Sequence, residues 1–266
     1  MHGLPPTVAS RHPRAGLSLL EVLVACGILA VGLASVSALL PAAAARLSQA
    51  TQQDRAGMLA ANARAECVNR GLVAADVFSN PAAACVFGEL SGVSAAGIAA
   101  PSALAAQRLI TTGGTQHFAE DPAFRWGAML APTSGSATPG MPATLSIAVF
   151  RKASISPTTI SLTGTSTSPR FQLTTGSANG LRDEATRRRF LPACSHVLAI
   201  TTPPRWVRVT SSWTMPGPIT SGSENPAARR SFVVLDPNPL PSGTTTLNVI
   251  GFDGLLRVDQ HAVTLD

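Results

Sequence analysis

Tyrosine is missing from this 266-residue sequence, lysine occurs once, at Lys152, and charged residues make up only 13% of it. So little charge beside 45% hydrophobic residues excludes an intrinsically disordered tail. The length suffices for one large or two small domains with a real core. No CxxC pair occurs and zinc-type spacing is absent. There is likewise no nucleophile elbow, no P-loop and no dinucleotide fingerprint. Ser195 and His196 are adjacent, so on a strand they point to opposite faces, which is wrong for a nucleophile and its base. His117, Glu120 and Asp121 stand beside Pro122 and read as a solvated turn. The chain is therefore not expected to be an enzyme, and no cofactor and no metal are implied.

The net charge of +6 falls to +4 without residues 1–16, which hold Arg11 and Arg14 and no acid. Nearly all the basic residues are arginine, a bias that points to GC-rich coding, so the basic balance says little about nucleic acid. Arg187, Arg188 and Arg189 form the best candidate for polyanion contact. Asp183 and Glu184 neutralise them locally, and three charges give weak binding at physiological salt. Nucleic acid is not an expected partner. Trp126, Trp206 and Trp213 read as core anchors in preference to a ligand surface.

What the chain does have is one long apolar run. Val22–Leu40 extends for 19 residues without a charged side chain. Counted from Leu17, a helix of 24 residues spans about 36 Å, against a hydrocarbon core of about 30 Å. Arg11, His12 and Arg14 precede it, and a positive flank stays cytoplasmic, so the chain beyond about residue 45 is expected on the outer side of the inner membrane. Pro41-Ala42-Ala43-Ala44 offers a signal-peptidase site, the rival reading. The apolar run exceeds the usual secretory core, and an acid, Glu21, sits near its entrance. A carboxylate there is costly without a cation.

The stretch Arg14-Ala15-Gly16-Leu17-Ser18-Leu19-Leu20-Glu21-Val22-Leu23-Val24 resembles the N-terminal motif of type IV prepilins. That motif is a basic leader ending in Gly, then an apolar residue, Ser or Thr, two more apolar residues and Glu, before a hydrophobic helix. The helix sequence looks most like those of PilV-type minor pilins and of type II secretion pseudopilins. The resemblance implies cleavage after Gly16 by a prepilin peptidase and methylation of the new amino group on Leu17. It also implies that Glu21, now the fifth residue, neutralises the amino terminus of a neighbouring subunit. Leu17 departs from the family's usual Phe. Ala38 stands where many major pilins have Pro, and Pro41 is expected to kink or locally melt the helix. The implied partners are the peptidase, other pilin or pseudopilin subunits and, before assembly, inner-membrane lipid.

Ala30, Ala34, Ala38 and Ala42 recur every fourth residue, a small-residue ridge that lets helices approach closely. Past Pro41 the stripe Met58, Ala61, Ala65, Val68 and Leu72 is expected to lie on a sheet, and Gly71 to stop the helix. The expected organisation is a leader over 1–16, a helix over 17–71 that spans the membrane to about 45, and a β-rich head over 72–266. Residues 72–140 read as loops and short elements. Strands are expected at 144–150, 170–174, 196–201, 205–210, 231–236, 244–250 and 255–265, parted by Pro, Gly, Ser and Asn clusters. The fold class is α+β, a long N-terminal helix packed on an antiparallel sheet, with stability drawn mostly from the second half. Cys26 reads as a small core residue of the helix. Cys67 and Cys85 would close a loop of 18 residues, worth about 3 kcal/mol in the entropic account. A bond from either to Cys194 is equally allowed, so the pairing stays open.

Overall fold

The computed structural model describes residues 18–109, 123–133, 135–151, 157–174, 184–215, 219–220, 223–224 and 230–266. Its chain divides into two units, residues 1–51 and 52–266. Helix α1 (Leu19–Asn69) belongs to both and passes through Pro41 without interruption, so the expected local melting is not seen.

The helix ends in a Schellman arrangement. Gly71 has φ +63°, its N–H donates to the Val68 carbonyl at 3.0 Å, and the Leu72 N–H donates to the Cys67 carbonyl at 2.9 Å. Leu72 and Cys67 are both fully buried in one cluster, the apolar contact that accompanies this cap.

In the second unit three layers follow one another. The first is the end of α1, whose buried residues are Ala56, Leu59, Ala60, Ala63 and Cys67. This corrects the expected stripe, because Met58 and Val68 are exposed and, with Ala61 and Ala65, occupy the opposite face. An alanine-rich helix offers apolar stripes on two sides, and the one with the smaller side chains lets the helix approach the sheet.

The second layer is a five-stranded sheet in the order β13 (Leu255–Thr264), β4 (Pro142–Arg151), β3 (Phe124–Pro132), β1 (Ala84–Gly88) and β2 (Ile98–Ala99). It is antiparallel except where β1 meets β2. Both faces are buried. Leu145, Ile147 and Val149 of β4 face the helix, with Trp126, Ala128 and Leu130 of β3 in register beside them. Ala148 and Phe150 face the other way, as the period of two requires. Strands β1 and β3 and the short helix α2 (Ala103–Leu109) lie where loops were expected, so much of the helix-side core comes from the first half of the chain.

The third layer is a closed antiparallel barrel. Its strands run in the order β11 (Arg230–Asp236), β6 (Arg170–Leu173), β5 (Pro157–Gly164), β12 (Thr246–Phe252), β7 (His196–Ala199) and β8 (Arg205–Met215). Closure removes the sheet edges that invite aggregation. Its interior holds Ile160, Leu162, Phe171, Val197, Val207, Val209, Val233 and Val249, with Leu191 after helix α3 (Glu184–Phe190). Leu198, Trp206, Ile250 and Phe252 turn outward onto the back of the sheet. A small ribbon pairs β9 (Ile219–Thr220) with β10 (Ser223–Glu224). The sequence pattern anticipates one sheet; the barrel is a second β layer beyond it.

Candidate functional site

The amino-terminal half of α1 carries the candidate site. Ser18 caps it: the Glu21 N–H donates to the Ser18 Oγ at 3.2 Å, and the Ser18 N–H donates to the Glu21 carboxylate at 3.1 Å. This reciprocal capping box satisfies two donors that a helix start leaves open, and it places a negative charge at the positive end of the helix dipole. Ser-x-x-Glu spacing is the signal for it, present in the sequence and read there only as a charge problem. A carboxylate accepts about four hydrogen bonds, so the cap leaves Glu21 room for a further cationic partner.

Beyond the cap, to Leu40, the surface is apolar and uncovered, with Leu19 80%, Leu29 63% and Leu40 63% exposed. Within it Ser35 is folded back: its Oγ donates to the carbonyls of Gly32 at 2.8 Å and Val31 at 3.0 Å. Such back-bonding hides hydroxyls from a hydrocarbon phase. By length and composition the helix can cross a membrane. Ala30, Ala34, Ala38 and Ala42 are all exposed on it. They form an i+4 row, the inclined ridge along which helices interdigitate. Gly16 and Leu17 lie outside the described residues, as do His117, Glu120 and Asp121.

The other sequence candidates are dispersed. The arginine triplet does not present three free charges. Arg187 is buried and donates to Ser212 Oγ, while Arg189 pairs with Asp253 at 2.5 Å, a bond that raises its own pKa. Ser195 Oγ donates to the Pro192 carbonyl at 2.6 Å, and His196 is half-buried on β7. Trp126 and Trp206 are buried, whereas Trp213 lies half-buried on the barrel wall. Its ring stacks on Phe232, with the Arg170 guanidinium over both rings.

All four cysteines are present as free thiols. Cys67 and Cys85 are buried in the same cluster, and burial pushes both thiols up to about 12. Cys194 is exposed, with φ 66°, and Cys26 is exposed on the apolar helix.

Residues 11–37 match the prokaryotic N-terminal methylation motif, which is type IV prepilin-like. No curated protein and no solved structure matches the chain. With the long helix on antiparallel β structure, the motif indicates a membrane-anchored, type IV pilin- or pseudopilin-like subunit.

Proposed function

We propose that this chain is a minor subunit of a type IV pilus. It is made with a leader over residues 1–16 and held in the bacterial inner membrane by the helix to about residue 45, with the head in the periplasm. A prepilin peptidase cuts after Gly16, the Leu17 amine is methylated, and the subunit enters a filament through its helix. A large head suits a subunit of low abundance. The role is structural and not catalytic.

One observation carries the reading. Glu21 is the only charged residue between Arg14 and Arg46, and it stands five residues past the glycine that ends the basic leader. An unpaired charge buried among apolar helices is penalised, and a paired one fixes register. The amino group freed at Leu17 is the cation that assembly would bring to it.

Mass spectrometry of the amino terminus, on protein from the host's membranes and from sheared surface filaments, tests this. A chain starting at N-methylated Leu17 in both fractions is expected. A start near Ala45 would mean a secreted protein that has discarded the helix. Processed chain confined to membranes, with secretion lost on gene deletion, would move it to a type II secretion pseudopilus.

A further inference from the structure

Among the described residues one long strand edge is open. The barrel is closed, and the strands of the small ribbon have two residues each. The five-stranded sheet ends on one side in β2, of two residues, and on the other in β13, of ten, whose ladder partner is β4. The ladder fixes which backbone groups this edge offers. The Leu265 N–H donates to the Met141 carbonyl at 3.0 Å, one step past the pair Thr264 and Pro142. Pro142 has no N–H, and its carbonyl accepts from Thr133 at 3.1 Å on the side of β3. Bonded and unbonded pairs alternate in an antiparallel ladder. Asp259, His261 and Val263 therefore bond to β4, and the N–H and C=O groups of Gln260, Ala262 and Thr264 point away from it.

Those backbone groups make no hydrogen bond among the described residues, and Gln260, Ala262 and Thr264 are all exposed. Val258, just before them, is buried with Leu198 and Trp206 of the barrel, which limits the open stretch. Natural sheets blunt their edges with charge, proline, bulges or shortness. In β13 the bulge lies between Leu255 and Arg257, and the charges are Arg257 and Asp259, which pair at 2.8 Å. Gln260-His261-Ala262-Val263-Thr264 contains no lysine, arginine, acid, proline or bulge. It is a template for strand addition, the mode in which backbone bonds hold a peptide and alternate side chains select it.

The side chains narrow the occupant. Asp259 accepts from Arg257 Nε through one oxygen, and a carboxylate accepts about four bonds. A basic side chain placed beside it gains a charge-assisted bond. Nothing charged stands along residues 260–264, so the rest of the partner is uncharged, with the β-branched residues that suit a strand. A second copy fits poorly. Pairing two β13 edges antiparallel reverses one chain in the plane of the sheet, and with it the helix end that packs on that sheet. Two chains anchored in one membrane cannot meet so, a step that rests on the anchoring given above. We propose that β13 accepts an added antiparallel strand from another polypeptide, uncharged and β-branched beside residues 260–264 and basic beside Asp259.

The test is fluorescence polarisation of the labelled peptide Thr-Val-Thr-Val-Thr-Lys, capped at both ends, with the full chain in detergent micelles. Saturable binding is expected, the threonines opposite Thr264, Ala262 and Gln260 and the lysine opposite Asp259. N-methylation of the second and third threonines should weaken it at least about tenfold, through the loss of two backbone bonds. N-methylation of the two valines, whose N–H groups point away from β13, should leave it unchanged. Ala262→Pro should abolish binding at an unchanged thermal midpoint, because that N–H carries no ladder bond. Should the proline variant fail to fold, Asp259→Asn decides: it should remove the preference for Lys over Gln at the last position and leave binding of the Gln peptide as it was. Absence of binding, or binding indifferent to which nitrogens are methylated, would overturn the proposal. Self-association of the chain that Ala262→Pro abolishes would give the edge to a second copy and overturn the partner assignment. Peptide binding in micelles does not depend on cleavage after Gly16, so the pilus reading stands or falls separately, on the amino terminus.

Discussion

Glu21 holds its own helix start and, in the proposed assembly, would also meet the amino group of a neighbouring subunit; two substitutions separate these roles. Glu21→Gln keeps an oxygen that accepts the Ser18 N–H but loses the charge; Glu21→Ala loses both. The alanine variant is expected to lose about 0.5–2 kcal/mol of helix-start stability, and the glutamine variant much less, while both are cleaved after Gly16 and both fail to enter filaments. Normal incorporation of the glutamine variant, read by immunoblot of sheared filaments, would remove charge pairing from the account. The thiols make a second residue-scale case. With Cys67 and Cys85 pushed up to about 12 by burial, both stay protonated and unreactive at neutral pH. Iodoacetamide on native chain in micelles should label Cys194, spare Cys67 and Cys85, and reach all of them only in denaturant. Resistance of Cys67 and Cys85 even in denaturant, until a reductant is added, would show a disulfide formed in the periplasm. Count and compartment allow a cross-link, whereas the sequence does not display that Cys67 and Cys85 share one buried cluster.

At the scale of elements, two glycines hold the head to the helix and sheet. Gly71 sits at positive φ in the Schellman cap, and Gly71→Ala is expected to cost about 1–2 kcal/mol. A Cβ at Gly127 would meet the Leu90 backbone nitrogen at 2.8 Å and its Cγ at 2.7 Å, so Gly127→Ala must displace β3 or the turn after β1. Its cost is expected at about 1–3 kcal/mol, and equal thermal midpoints for wild type and either variant would refute the packing described. The helix gave up its length and its stop to simple rules, since an uncharged run and a following glycine are local signals. Its buried face was not legible: 58-61-65-68 and 56-59-60-63-67 are equally good helical stripes, and only the sheet decides between them. Strands with strict alternation, such as β4, were also legible. Strand β3 was not, because Phe124-Arg125-Trp126-Gly127-Ala128-Met129-Leu130 is buried on both faces and alanine and glycine carry little strand preference. The uncovered stripe is open to contact with another subunit in the proposed filament. Met58→Asp with Val68→Asp is expected to leave the unfolding free energy of the head within about 0.5 kcal/mol of wild type, as exposed sites do, yet to reduce incorporation into filaments sharply. Undiminished incorporation would mean that this face stays free in the assembly.

For the whole molecule the decisive feature is the seam between sheet and barrel, because the barrel packs on the back of the sheet whose other face carries the end of the helix. His196 of β7 stands at that seam, opposite Arg208 on β8, and β13 with Asp259 lies against it. Burial lowers the imidazole pKa first, the Arg208 charge lowers it further, and Asp259 opposes both. The unfolded chain takes up its proton near pH 6.5, at about the ordinary histidine value, and the folded chain only at lower pH. Between those values the unfolded state binds more protons, so stability is full above the ordinary value and is lost as pH falls through the folded one. The thermal midpoint of the head is therefore expected to drop between about pH 7.5 and 5.5, less in His196→Gln, which has no proton to gain, and more in Asp259→Asn, which loses the opposing charge. Wild type and His196→Gln with superimposable pH profiles would exclude the histidine. If the barrel and the sheet unfold as one, a single transition should shift as a whole. If the seam yields first, Trp206 fluorescence should change at a higher pH than the far-ultraviolet signal of the strands, and the order of those two events measures how firmly the third layer is fastened to the other two.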